Sequence, residues 1–310
     1  MSDSTPSNGM SLTRRLVEIV IGLVVFAVFV NTYTNVLVAF HRESDRNALV
    51  IVDYDKMQAP SINGHLTVTG VDPVKGELSA RLELEPDESL LEEDAYSLKQ
   101  DLTVSVNNMK GKQMETYKKG TRLSPIDVTL ALFDGDASEY PFDLHKAELC
   151  LDVSYMHREK GESADEAEEV FIPVGMVFEA SAPGYSFKVA ESTTTKSKKT
   201  AGFESAALEV ERSSTVKGFS VFIITLIWAI SVTILIMTLA VWLRGRKFEF
   251  GMMTFYAAML FAFPAIRNLQ PMVPPIGAWP DFACVFWAQG IVGSCIVIVL
   301  FVWLARSAKG

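Results

Sequence analysis

The side chains able to do chemistry in this 310-residue chain are scattered rather than gathered. The four histidines, His41, His65, His145 and His157, follow no ligand spacing such as His-Glu-x-x-His. A zinc site requires three or four convergent nitrogen, sulfur or oxygen ligands, so no metal is expected. Asp134, Asp136, Glu139 and Asp143 fall within ten residues, a density that could suit a calcium loop. The glycine and terminal glutamate of an EF-hand register are missing, and a solvated turn is the simpler reading. No phosphate-binding glycine loop, dinucleotide fingerprint or nucleophile elbow occurs. Serine, histidine and aspartate are common enough that a triad could be assembled by choice, which is no evidence for one. Neither catalysis nor a cofactor is expected.

Two stretches carry conformational chemistry instead. In Tyr140-Pro141-Phe142-Asp143 a proline presets the backbone between two aromatic rings, and Asp143 can accept from nearby backbone amides. This motif is expected to be structural, with Asp143→Ala costing about 1–2 kcal/mol. The second stretch is Arg267–Asp281, RNLQPMVPPIGAWPD, in which Pro271, Pro274, Pro275 and Pro280 restrict the backbone and Gly277 relieves it. It reads as a rigid strut or as a partner-binding surface. Arg267 and Asp281 each border an apolar run, where an unpaired ion is costly, so the two are expected to meet across the loop rather than snorkel separately to water.

The elements around these stretches are set by four apolar runs. They give candidate membrane helices at 16–40, 218–243, 250–266 and 282–305, with the Pro-rich loop at 267–281. At about 1.5 Å per residue, runs of this length reach across about 30 Å of hydrocarbon. The basic flanks alternate. Arg14 and Arg15 precede the first run, Arg244, Arg246 and Lys247 follow the second, and Arg306 and Lys309 follow the fourth. The positive-inside rule then puts residues 1–15 and 306–310 in the cytoplasm and 41–217 outside. Trp242 and Trp303 fall at the inner interface, and Trp279 and Trp287 at the outer one. No small-x-small cleavage site closes the first run, which favours a retained anchor over a cleaved signal. Ala258 with Ala262, and Gly290 with Ser294, are spaced for close helix approach, within one chain or between subunits.

Residues 41–217 hold 20 Lys+Arg against 33 Asp+Glu, a net charge of −13. Such a domain has no electrostatic reason to bind nucleic acid. Period-two alternation in Glu77–Glu85 and Glu148–Tyr155 predicts half-buried strands. Further strands are predicted at Leu49–Tyr54, His65–Val71, Leu102–Val106, Ile126–Phe133, Val170–Phe178 and Ala206–Val210. Glu159–Glu169 and Ser192–Thr200, polar and without apolar period, read as mobile loops. The domain's single cysteine, Cys150, allows no internal disulfide, and with no Asn-x-Ser/Thr acceptor this tilts toward a bacterial envelope. The expected fold class is an α+β membrane protein, with an extracytoplasmic antiparallel β-sandwich-like domain, one transmembrane helix before it and three after it.

The order of anchor, β domain and three helices resembles the uncharacterised membrane family domain of unknown function 4436. So do Tyr140-Pro141-Phe142-Asp143, and the loop with Pro274-Pro275-Ile276-Gly277 and Asp281. The resemblance covers nearly all of the chain and implies a membrane location without a reaction or substrate. A second resemblance is to pentameric ligand-gated channels, whose β-sandwich carries a Phe-Pro-Phe-Asp stretch ahead of a strand. This chain departs from them in lacking a cysteine upstream of Cys150, in the helix before the β domain, and in having only three helices after it. The function expected is non-enzymatic: an accessory or scaffolding subunit of a cell-envelope assembly in the plasma (bacterial inner) membrane. It would meet the lipid bilayer and a membrane or envelope protein partner through its acidic domain. The alternative is a homo-oligomeric channel or transporter.

Overall fold

The computed structural model describes ten helical positions between 20 and 38, and residues 48–52, 60–157, 168–180, 182–197, 200–247 and 249–307. Residues 1–45 and 46–310 form two separate compact units. In the first, the described positions from Val20 to Val38 are helical, and the Thr34 hydroxyl donates back to the carbonyls of Val30 and Asn31, each at 3.0 Å. The rest of the first apolar run, the question of its cleavage, and most of the expected 159–169 loop lie outside the described residues.

The second unit begins with a β domain that has eleven strands among the described residues. These are β1 (Ala48–Val52), β2 (Ile62–Asp72), β3 (Glu77–Pro86), β4 (Leu102–Val106), β5 (Met114–Tyr117) and β6 (Ile126–Phe133), followed by β7 (Leu144–His157), β8 (Glu168–Phe171), β9 (Val174–Ala180), β10 (Tyr185–Ser197) and β11 (Thr200–Arg212). The hydrogen-bonded path runs β1-β9-β2-β3-β6-β7-β11-β10, with β4 and β8 on the far half of β7 and β5 on β4. Inward side chains of β2, β3, β4, β6, β7, β9 and β11 enter one hydrophobic core. The rings of Phe178 on β9 and Phe187 on β10 meet with centroids 5.8 Å apart. Each fully buried Leu, Val or Phe in that core contributes about 1.5–3 kcal/mol relative to exposure.

Three expectations need correction. The sheet is mixed, because β9 pairs parallel with β2 while pairing antiparallel with β1. The single strand expected over Val170–Phe178 is two, β8 and β9, because Pro173 lies between them and lacks the amide a ladder needs. Of the stretch 192–200, expected as a loop, the described residues 192–197 and 200 are strand at the distal end of the β10–β11 hairpin. There Thr193 pairs with Ser205 and Ser197 with Thr200.

Three helices follow: α1 (Ser214–Leu243), α2 (Phe250–Arg267) and α3 (Phe286–Ser307), the last entered through a π turn at Asp281–Val285. Ser213 caps α1, its hydroxyl accepting from the Val216 amide at 3.3 Å. By length and composition, α1, α2 and the stretch Asp281–Arg306 are each able to cross a membrane. Ala288, Val292, Cys295 and Val299 form the inward stripe of α3, spaced at four and three residues, against Ile223, Ile227 and Ile234 of α1. Polar side chains inside this packing find partners within it. Ser231 donates to Ile227 at 2.9 Å, and Thr238 donates to the Tyr256 hydroxyl at 3.2 Å. At the opposite end from the β domain, Arg306 donates to the carbonyls of Val241 and Arg246 at 2.8 and 2.9 Å, capping the end of α1. Ala258, Gly290 and Ser294 are exposed on this single chain, so the close packing expected of them is not made within the bundle.

Candidate functional site

Where β11 runs into α1, the period-two pattern of the strand ends on a charge. Ala206, Leu208 and Val210 face the core, and Arg212 falls on the same buried face. In the register of β11 with β7, Val210 stands opposite His145, which brings Arg212 beside Asp143. The Arg212 Nε donates to both Asp143 carboxylate oxygens at 3.0 Å, and His145 Nε2 lies 3.1 Å from Oδ2. An ionised carboxylate only accepts, so Nε2 carries the imidazole proton in this contact. The guanidinium lies against the rings of Tyr140 and Tyr185, 5.1 and 4.8 Å from their centroids. Burial, the leading cause, pushes the Tyr185 phenol up to about 12 against the opposing Arg212 charge. Burial also pushes Tyr140 up.

From this cluster three links cross to the helical segment. Arg212 Nη1 donates to the Met272 carbonyl at 3.4 Å. The Tyr140 hydroxyl lies 2.8 Å from the Pro271 carbonyl and 2.6 Å from the Ser220 hydroxyl of α1. Because a carbonyl cannot donate, Tyr140 gives its proton to Pro271 and accepts from Ser220. Phe142 packs edge-on against Trp279, centroids 5.9 Å apart. Pro141 is buried between Tyr140 and Asp143 and holds the turn that presents all three.

The loop is itself closed by a second buried ion pair. Arg267 donates through Nε and Nη2 to the two oxygens of Asp281, each at 2.8 Å, the paired fork that a carboxylate fits best. Nη2 also reaches the Pro275 carbonyl at 3.3 Å. Asp281 Oδ2 accepts in addition from the amides of Gly277 and Ala278 at 2.8 and 3.1 Å. Gly277 sits at φ 121°, where a side chain would be strained. Pro274 is buried while Pro275 and Gly277 are exposed, and all three border an open groove of about 380 Å³ shared with Pro73, Val74 and Gly135. Gln270 is buried in the same loop, and among the described residues neither end of its carboxamide has a partner.

All nine residues singled out by sequence (Tyr140, Pro141, Phe142, Asp143, Arg267, Pro274, Pro275, Gly277 and Asp281) thus lie at the junction of the β domain with the loop between α2 and α3. Arg212, His145, Tyr185 and Ser220 join them without having been anticipated there, and so does Trp279, expected only within the loop and at the outer interface. The four clustered acids diverge. Asp136 accepts from the Ser138 amide at 2.8 Å, Asp134 faces Lys146 at 3.4 Å, and Asp143 turns inward. Among the described residues no three His, Cys, Asp or Glu side chains converge to hold a metal.

Residues 53–209, just over half of the chain, match the family described as Domain of unknown function (DUF4436). The chain belongs to that family. Residues 212–306 match a second one, described as Domain of unknown function (DUF8686). The family match therefore covers β2 to β10 and most of β11, while the helices carry a match of their own that begins at Arg212. The wider resemblance expected over nearly the whole chain divides at that point. Neither description states a reaction, a substrate or a membrane. No curated protein matches the chain.

Proposed function

We propose that this chain is a non-enzymatic integral membrane protein, an accessory or scaffolding subunit of a cell-envelope assembly that offers its acidic β domain to a protein partner. The observation that supports this reading best is the junction. The Tyr140 hydroxyl and Arg212 Nη1 bond across from the β domain to Ser220 of α1 and to the Pro271 and Met272 carbonyls of the loop between α2 and α3, and a buried ion pair on each side braces these contacts, so the domain is held at a fixed attitude to the helices. A domain fixed in this way suits presentation of a surface, and its charge suits a basic or polar partner. On this reading the chain lies in the plasma (bacterial inner) membrane with both termini cytoplasmic and residues 41–217 outside. The test is affinity purification of the full chain from native membranes, beside topology reporters after Gly310 and at Ser163. One reproducible envelope protein at fixed stoichiometry, with the Ser163 reporter active outside, is the expected result. A lone monomer, or a cytoplasmic Ser163, overturns it.

A homo-oligomeric channel is the second reading. Its support is the exposed face of α2, where Gly251, Thr254, Ala258 and Ala265 recur at helical spacing with the exposed ring of Phe261 among them, a face suited to packing against a second subunit. A closed ring in mild detergent with conductance in planar bilayers would select it over the first.

A further inference from the structure

We propose that the β domain itself touches lipid, through Phe142, so that this turn is a membrane-interface contact as well as a fastening; the inference rests on the membrane reading above. Phe142 is 52% exposed although Pro141 and Asp143 on either side of it are buried. An apolar ring held out between two buried neighbours is placed by the fold rather than left over by it. Its edge contact is Trp279, itself 46% exposed. Trp279 stands two residues before Asp281, where the last membrane-length stretch begins. Exposed rings continue into that stretch, with Phe282 in edge contact with Phe286 at 5.4 Å. Exposed rings thus recur at 279, 282 and 286 where the last membrane-length stretch begins, and the first of them meets the ring of the β domain. Tryptophan and phenylalanine are the side chains that settle at the boundary between headgroups and acyl chains.

The occupant is the bilayer interface rather than a protein, because these rings stand where that stretch begins. The charge around it selects the headgroup. Asp136 and Glu139 are exposed in the same turn, and they favour zwitterionic over anionic lipid. The junction fixes the height of Phe142, since Tyr140 and Asp143, two residues before it and one after, are bonded to α1, β11 and the Pro-rich loop.

The experiment places p-benzoylphenylalanine, one position at a time, at 142, 282 and 96 in the full chain in phosphatidylcholine vesicles. Tyr96 is a β-domain ring that is 61% exposed, against 60% for Phe282 in the helix. After irradiation, phospholipid adducts are quantified on the labelled peptide by mass. The expected yield at 142 approaches that at 282 and exceeds that at 96 roughly tenfold, as an interface residue should against a solvated one. Labelling at 282 with 142 at the level of 96 overturns the proposal and leaves the membrane reading standing. Position 282 at the level of 96 overturns both. A protein-to-protein adduct at 142 in place of lipid overturns the proposal in favour of a subunit contact.

Discussion

Asp143 accepts from Arg212 through both oxygens and from His145, with all three side chains buried, so each charge depends on the other. Removing one partner of such a pair strands the other, at a cost of about 3–5 kcal/mol, more than a turn-capping aspartate would show. Asp143→Ala and Arg212→Met should each lower stability by about that amount, and the double variant should lose less than the sum of the two. Denaturant unfolding of the purified chain in detergent measures all three. Reversing Arg267 and Asp281 together should recover only part of the damage of either single reversal. An arginine at 281 cannot accept from the Gly277 and Ala278 amides as the carboxylate does. Equal damage from single and double variants would show that the two side chains act independently. Gln270→Met should hold or raise stability by about 1 kcal/mol, since it removes a buried carboxamide that no group among the described residues satisfies; a clear loss would mean the amide is bonded in solution. Part of this chemistry was legible. The borders of two apolar runs marked Arg267 and Asp281, and the phase of β11 would have marked Arg212 as inward had the strand been followed to its end. The partners of Tyr140, 80 and 131 residues away, leave no local signal.

Glu211 shows how an element boundary is held. Its carboxylate takes Lys188 of β10 at 2.8 Å and Lys217 of α1 at 2.7 Å, tying hairpin to helix. Those two hydrogen bonds, the one from Lys188 foremost, hold the carboxyl below its ordinary value of 4.5. A group depressed in the folded state contributes stability above its unfolded value and loses it as pH falls through the folded one. The chain should therefore lose about 0.5–1 kcal/mol from this site as pH is lowered below 4.5, and Glu211→Gln should remove that component. Thermal melts of both forms between pH 6 and about pH 3 read the difference directly; parallel curves would dismiss it. Elements with a core-facing alternation, β3, β4, β6 and the inner half of β7, were readable because burial imposes period two. The outer reach of β10 and β11 was not. Its residues, 192–200, are polar in sequence and carry no apolar period.

For the whole molecule, the mixed sheet sets a schedule. Each of the pairs β2–β3, β3–β6 and β6–β7 joins strands that leave the ribosome close together, so that half can form as it is made. β2 cannot be completed this way, because the strand that covers its free side is β9, about a hundred residues later, which must slide in between β1 and β2. At about 5–20 residues per second the β2 flank stays open for roughly 5–20 s during synthesis, a row of unpaired amides and carbonyls able to recruit a neighbouring chain. Nascent chains arrested before Val174 should accordingly be protease-sensitive across β2 and self-associate, and chains extended past Ala180 should gain protection there first. Protection of β2 before β9 has emerged would mean that another segment shields it. Whatever the protein does once assembled, its biogenesis calls for a holding factor on the side where the β domain emerges.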